Sequence, residues 1–149
     1  MICLSKELQQ QIEAEGERCY PNECCGILFG ILEDNLQGKQ HVKRVKQIMP
    51  VDNSYSDEEQ FHRFMITPET MLQAELEARR TGLEVIGFYH SHPNCPAFPS
   101  DYDTTHALPI YSYIITSVVF EIAVKTNSFE LCGEDHTFYE EKIDITYID

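Results

Sequence analysis

Two imidazoles, a hydroxyl and a carboxylate fall within fourteen residues, as His90, His92, Ser100 and Asp103. They follow a largely apolar run that begins at Leu83, and Pro93 closes the histidine pair. Neutral imidazoles and a carboxylate are a ligand set suited to a catalytic zinc, and three protein ligands leave one coordination position open for water. Side chains two apart on a strand share a face, so His90 and His92 are expected to project together, with Ser91 facing away. A proline does not continue a central strand, which places the pair where a sheet opens into a loop. Ser100 and Asp103 are three apart and share one face of a helical turn. A loop of six residues brings that turn back over the histidines. Asp103 is then the third ligand, and Ser100 can hydrogen-bond a bound water or a tetrahedral oxyanion. Each part also has a plainer reading. Ser100 and Asp103 match a helix N-cap with an acidic first turn, close to a capping box, and the histidines could be a satisfied surface pair. The joint spacing favours the metal site, which would make the chain a metallohydrolase.

Positioning these groups requires a sheet and a few helices. Ser5 to about Cys19 has helical apolar spacing with a capping residue at its start, and Pro21-Asn22 breaks it. Glu23 to Leu32 is a nearly continuous apolar run, expected to be a buried strand. A hairpin turn from Asp34 to Gly38 leads to a partner strand from His41 to Met49. Residues 50 to 60 are polar and turn-rich, with a short strand expected from Phe61 to Ile66. Thr67-Pro68 starts a helix that Gly82 stops. Leu83 to Ser91 is the histidine-bearing strand, and a short helix is expected from Ser100 or Asp101 to about Ala107. Two β-rich stretches follow, from Tyr111 to Val119 and from Phe120 to Lys125, and Phe138 to Tyr147 alternates weakly enough to suggest one last strand. Helices and strands alternate irregularly, which gives an α/β or α+β class with a mixed sheet in one domain over residues 1–149.

Composition narrows the partners. The 149 residues carry 25 acidic and 11 basic side chains, a formal net charge of -14, which argues against a nucleic-acid backbone as partner. With a mean hydropathy of -0.33 and no apolar run near eighteen residues, neither a membrane span nor a secretory signal is expected. Six cysteines include the adjacent Cys24 and Cys25 but no C-x-x-C pair, so free thiols in a reducing cytoplasm are expected rather than disulfides or a zinc ribbon. Cys95, inside the proline-rich loop, is either an incidental thiol or a soft ligand able to approach the metal. The histidines His41, His62, His106 and His136 are expected to be structural.

The arrangement His90-Ser91-His92-Pro93, six residues, then Ser100-Asp101-Tyr102-Asp103 resembles the signature of the JAMM (MPN-plus) metalloprotease family. Glu23-Cys24-Cys25-Gly26 is similar to the context of that family's upstream glutamate. The stretch from Gly87 to Pro93 and the later Tyr111 to Ile115 resemble its small, stand-alone prokaryotic branch, and the likeness covers most of residues 1 to 125. The resemblance implies a mixed, curved sheet flanked by helices and related to the cytidine deaminase fold. It implies Zn²⁺ held by His90, His92 and Asp103, with Glu23 moving a proton to the leaving amine and Ser100 stabilising the oxyanion. The implied reaction is hydrolysis of an amide or isopeptide bond after the C-terminal Gly-Gly of a ubiquitin-like or sulfur-carrier protein of the ThiS or MoaD kind, with an E1-like activating enzyme in the same pathway. A cytidine-type deaminase fits poorly, because its metal motif uses a C-x-x-C pair. A non-catalytic zinc-binding scaffold is the alternative. An exposed strand edge, lined from Val51 to Ile66, is expected to capture the extended tail.

Overall fold

The computed structural model describes residues 1–34, 41–53, 66–132 and 134–148. The turn expected from Asp34 to Gly38 falls largely outside them. So do the polar loop beyond Asn53, the strand expected from Phe61, and His62. In chain order the elements are β1 (Ile2–Cys3), α1 (Lys6–Cys19), β2 (Cys25–Asp34), β3 (His41–Val51), α2 (Pro68–Thr81), β4 (Glu84–Pro93), α3 (Asp101–His106), β5 (Ser112–Val119), β6 (Ile122–Cys132), β7 (Thr137–Glu141) and β8 (Ile143–Asp144). Ser5 and Thr67 accept the capping bonds of α1 and α2, and Gly82 ends α2 in the left-handed region, at φ 73°. Both helices therefore start and stop where the local signals put them.

The described strands form one mixed sheet in the order β7-β6-β5-β4-β2-β3-β1-β8. β4 and β5 run parallel, as do β1 with β3 and β1 with β8, and the remaining neighbours are antiparallel. The last segment departs from the expected single strand. Its residues split into β7 and β8, which lie at opposite ends of the strand order yet are separated by Lys142 alone. The Lys142 carbonyl accepts from the Ile2 amide at 3.0 Å, so the sheet must curl until its two edges meet.

β6 also extends well past Lys125. Its second half reads as polar because those side chains find partners. Asn127 Nδ2 donates to the Ala97 carbonyl at 3.0 Å, Ser128 Oγ donates to Glu141 at 2.7 Å, and the Thr116 and Thr126 hydroxyls share a bond at 3.0 Å. The boundary between β5 and β6 is the pair Phe120-Glu121, with φ of 46° and 72°. That two-residue left-handed turn suits a hairpin but is normally made by Gly or Asn, so the residue types gave no signal.

β4 runs through Pro93, two residues beyond the expected end. Alternate residues of a strand offer their N–H to alternate neighbours. The Ser91 amide faces β2, donating to the Cys24 carbonyl at 3.2 Å, whereas the Asn94 amide faces β5 and donates to Val118 at 2.7 Å. Pro93 thus lacks its N–H on the β2 side, where the β2–β4 ladder has already ended at Cys25 opposite His90. The missing donor removes no bond.

Apolar side chains bury on both faces. Against α1 lie Ile2, Leu4, Leu28, Val45, Tyr89 and Ile114. Against α2 lie Ile27, Phe29, Phe88, Tyr113 and Leu131, with Ala74 and Ala78 from the helix. Strand parity follows: Tyr89 points to the α1 face and Phe88 to the α2 face, so His90 and His92 share the α2 face. Tyr89 lies flat over Gly26 and donates to Glu15 Oε2 at 2.6 Å, wholly buried. A Cβ on Gly26 would sit 2.0 Å from Tyr89 Cζ. Gly26→Ala is therefore expected to destabilise the fold by about 3 kcal/mol, the upper part of the range for overpacked cores. A chemical denaturation midpoint measures this, and pairing the change with Tyr89→Leu, which removes the ring, should recover part of the loss.

Candidate metal centre

Three elements converge at the open end of β4. His90 and His92 come from the strand, both nearly inaccessible. Asp103 comes from the first turn of α3. Glu23 stands just before β2, next to the strand that pairs with β4. Its odd position matches Ile27 and Phe29, which point to the α2 face with the histidines.

Asp103 Oδ2 is the hub. It lies 3.2 Å from His90 Nε2 and 3.0 Å from His92 Nε2, and the two Nε2 atoms are 3.2 Å apart. The same oxygen accepts the Ser100 amide at 2.9 Å, while Ser100 Oγ accepts the Asp103 amide at 3.1 Å. The capping-box reading of Ser100 and Asp103 holds, and the same carboxylate oxygen that completes the box also faces both histidines. Capping fixes the rotamer that aims Oδ2 at the histidines.

The triangle of ligand atoms fits a metal. Tetrahedral bonds of the length zinc makes to nitrogen and oxygen put neighbouring ligand atoms roughly 3.3 Å apart. The observed edges are 3.0 to 3.2 Å, so opening by a few tenths of an ångström suffices. His92 Nδ1 lies 2.9 Å from the Pro96 carbonyl. A carbonyl only accepts, so Nδ1 carries a proton, and His92 in its neutral form would present a bare Nε2 to the centre. Together His90, His92 and Asp103 can hold a metal ion.

Burial sets the charges. It pulls the fully enclosed His90 below its ordinary range, with Asp103 opposing in part. Burial pulls His92 the same way, but the Asp103 carboxylate and the Pro96 carbonyl hold its proton and the balance is upward. Asp103 resists its own burial because His90, His92 and the Ser100 amide hold it far below the usual carboxylate range. Glu23 is the opposite case. Burial pushes its carboxyl up to about 8, lowered only in part by His92 and raised further by Asp103. Its Oε1 is 4.0 Å from His92 Nε2, and Oε2 is buried with no hydrogen-bond partner among the described residues. One carboxyl is held ionised and its neighbour is pushed toward the protonated form, the pattern that separates a charge-bearing group from a proton-transfer group.

Two cavities flank the centre. One, of about 280 Å³, is walled by His90 and Asp103 and by the apolar groups of Met71, Phe88, Leu108 and Tyr113. The other, of about 500 Å³, contains Glu23 with Glu15, Arg18, Asn22 and Asn53. Neither cavity was foreseen, because its walls come from segments far apart in sequence. Of the stretch expected to line a substrate groove, Ile66 borders the first and Val51 the second. Cys95 is exposed and outside the ligand group. All six cysteines are free thiols. Among the other described histidines, His41 bonds Asp34, His106 the Tyr102 carbonyl and His136 the Thr104 carbonyl. No described helix is long and apolar enough to cross a membrane.

A family model described as prokaryotic homologs of the JAB domain matches residues 5–131. The chain is similar to a desampylase from Pyrococcus furiosus, 38% identical over 81 residues that make up 54% of this chain and 49% of that protein. It is also similar to a probable TtuB-protein conjugate cleaving protease from Thermus thermophilus, 30% identical over 73 residues, or 49% of this chain and 48% of the relative. The chain thus spans about half the length of the curated relatives it matches. Among solved structures, a protein from Desulfitobacterium hafniense superposes with a TM-score of 0.81 at 28% identity, covering 97% of this chain and 92% of the other. One from Salinibacter ruber gives 0.71 at 29% identity, covering 97% and 91%.

Proposed function

The chain belongs to the prokaryotic JAB-domain family, and from that premise we propose that it is a zinc-dependent peptidase that cuts the amide or isopeptide bond after the C-terminal Gly-Gly of a ubiquitin-like or sulfur-carrier protein. The observation that carries this reading is the triangle of His90, His92 and Asp103 with a buried carboxyl, Glu23, 4.0 Å from His92 and one oxygen unbonded. The names of the two relatives, one a desampylase and one a conjugate cleaving protease, support the substrate class.

His90, His92 and Asp103 would hold the ion, which when bound would supply Lewis-acid polarisation of the scissile carbonyl and a lowered pKa for the attacking water. In its ionised form Glu23 takes the proton of the attacking water at its unbonded oxygen and returns it to the leaving amine. Ser100 Oγ already accepts the Asp103 amide, and its own O–H donates to the oxyanion. His92 keeps its orientation through the Pro96 carbonyl. The cavity on the Glu23 side receives the leaving group, since the proton must be delivered there.

Fusions of several sulfur carriers and ubiquitin-like proteins, each with an amine-linked reporter after Gly-Gly, test the proposal. At least one should be cut at that bond, as read by intact-mass spectrometry. A chelator should remove the activity and about one equivalent of zinc should restore it. A chain that is fully loaded with zinc and cuts none of them would point instead to the binding scaffold. Activity that survives complete metal removal would overturn the mechanism.

A further inference from the structure

We infer that Ser91, between the two histidines, is a positioning residue that fixes Glu23 over the metal centre, an inference that rests on Glu23 being the proton carrier. The β2–β4 ladder ends at Cys25 opposite His90. One residue further, Ser91 takes over with both its backbone and its side chain. Its amide donates to the Cys24 carbonyl at 3.2 Å, and its Oγ accepts the Cys24 amide at 2.8 Å.

The Cys24 amide belongs to the peptide plane that joins Glu23 to Cys24. The other end of that plane, the Glu23 carbonyl, accepts from Asn53 Nδ2 at 3.4 Å. Ser91 therefore holds the plane from which the Glu23 side chain springs. Buried backbone donors are nearly always bonded, and here a side chain of β4 replaces the strand neighbour that Cys24 lacks.

The hydroxyl is enclosed. Ser91 and Cys24 are 0% and 3% exposed. Helix α1 closes over them at Gly16, where a Cβ would come within 3.3 Å of Ser91 Cβ. The α2-face side chains of β4 thus supply the two histidines, while the intervening one, buried on the α1 face, holds the peptide beside the proton carrier. Ligands and carrier share one rigid support, so they keep their spacing when the strand shifts.

Ser91→Ala and Ser91→Thr, compared with wild type in the zinc-loaded full chain, test this. For Ser91→Ala, kcat on a Gly-Gly amide substrate should fall about 10- to 100-fold with KM within about twofold and zinc content unchanged. Backbone hydrogen exchange at Cys24 should quicken by about tenfold or more. Ser91→Thr keeps the hydroxyl and should stay within about threefold of wild type in kcat. Unchanged kcat and unchanged Cys24 exchange in Ser91→Ala would overturn the inference, as would a loss that follows zinc release or a rise in KM. If Ser91→Ala does not fold, Ser91→Cys, of similar size and a weaker acceptor, carries the same comparison. If wild type cuts no Gly-Gly conjugate, the proposed function fails separately. Cys24 exchange and the place of the Glu23 carboxyl in a crystal structure of the variant then decide, and an unmoved carboxyl with unchanged exchange would overturn the inference.

Discussion

Glu23→Gln should lower kcat about 10²- to 10⁴-fold, the range that general acid–base groups contribute, while zinc stays bound. Gln has the shape of Glu but cannot accept a proton from water and return it. Glu23 lies outside the group of ligand atoms, so the metal has no reason to leave. Nor should the fold suffer. The wild-type carboxyl is buried and close enough to Asp103 to feel its charge, and an isosteric neutral amide removes that repulsion. The midpoint of thermal unfolding should therefore hold or rise while turnover collapses. Zinc by elemental analysis, unfolding by calorimetry and single-turnover rates on one preparation distinguish the outcomes. Undiminished turnover would remove Glu23 from the mechanism.

The second large effect is on the metal itself. Asp103→Asn should weaken zinc binding by more than about 100-fold, since even partners outside the ligand set cost 10- to 100-fold when removed. The amide oxygen of Asn can still accept the Ser100 amide, so α3 should remain capped. Only the charge and the strong ligand are lost. Asp103→Ala should lose the metal equally and also lose the bond from the Ser100 amide, the carboxylate half of the capping box, for a further cost of about 1 kcal/mol in stability. The pair separates the two duties of one carboxylate. Competition with a zinc-binding dye reads the affinity, and denaturation of the metal-free proteins reads the cap. Equal zinc affinity in Asp103→Asn and wild type would show that Asp103 is not a ligand.

Much of this centre was legible in the chain because it depends on local periodicity. Residues two apart on a strand share a face whatever the strand packs against, so His90 and His92 had to project together with Ser91 behind. Residues three apart at a helix start share a turn, so Ser100 and Asp103 had to meet. The caps at Ser5 and Thr67 and the stop at Gly82 are equally local. Errors arose where a residue's usual meaning was set aside by its neighbours. Pro93 extends the strand because β2 has ended beside it. Phe120 and Glu121 make a left-handed turn that their side chains do not advertise. The polar second half of β6 is a strand because Asn127 and Ser128 find buried partners.

The sequence by itself determined the types of the converging side chains, their faces and the elements that bear them. Only the tertiary structure decided what surrounds them. Glu23 is 67 residues from His90 in sequence, and its distance from His92 is set by the pairing of β2 with β4 and by the Ser91 hydroxyl. Both cavities, and the curl that lets the adjacent β7 and β8 join opposite ends of one sheet, depend on contacts between remote segments. The physical reason is range. Strand and helix periodicities are fixed by backbone geometry within a few residues, whereas burial, and with it the raised affinity of Glu23 for its proton, depends on every segment packed around the group.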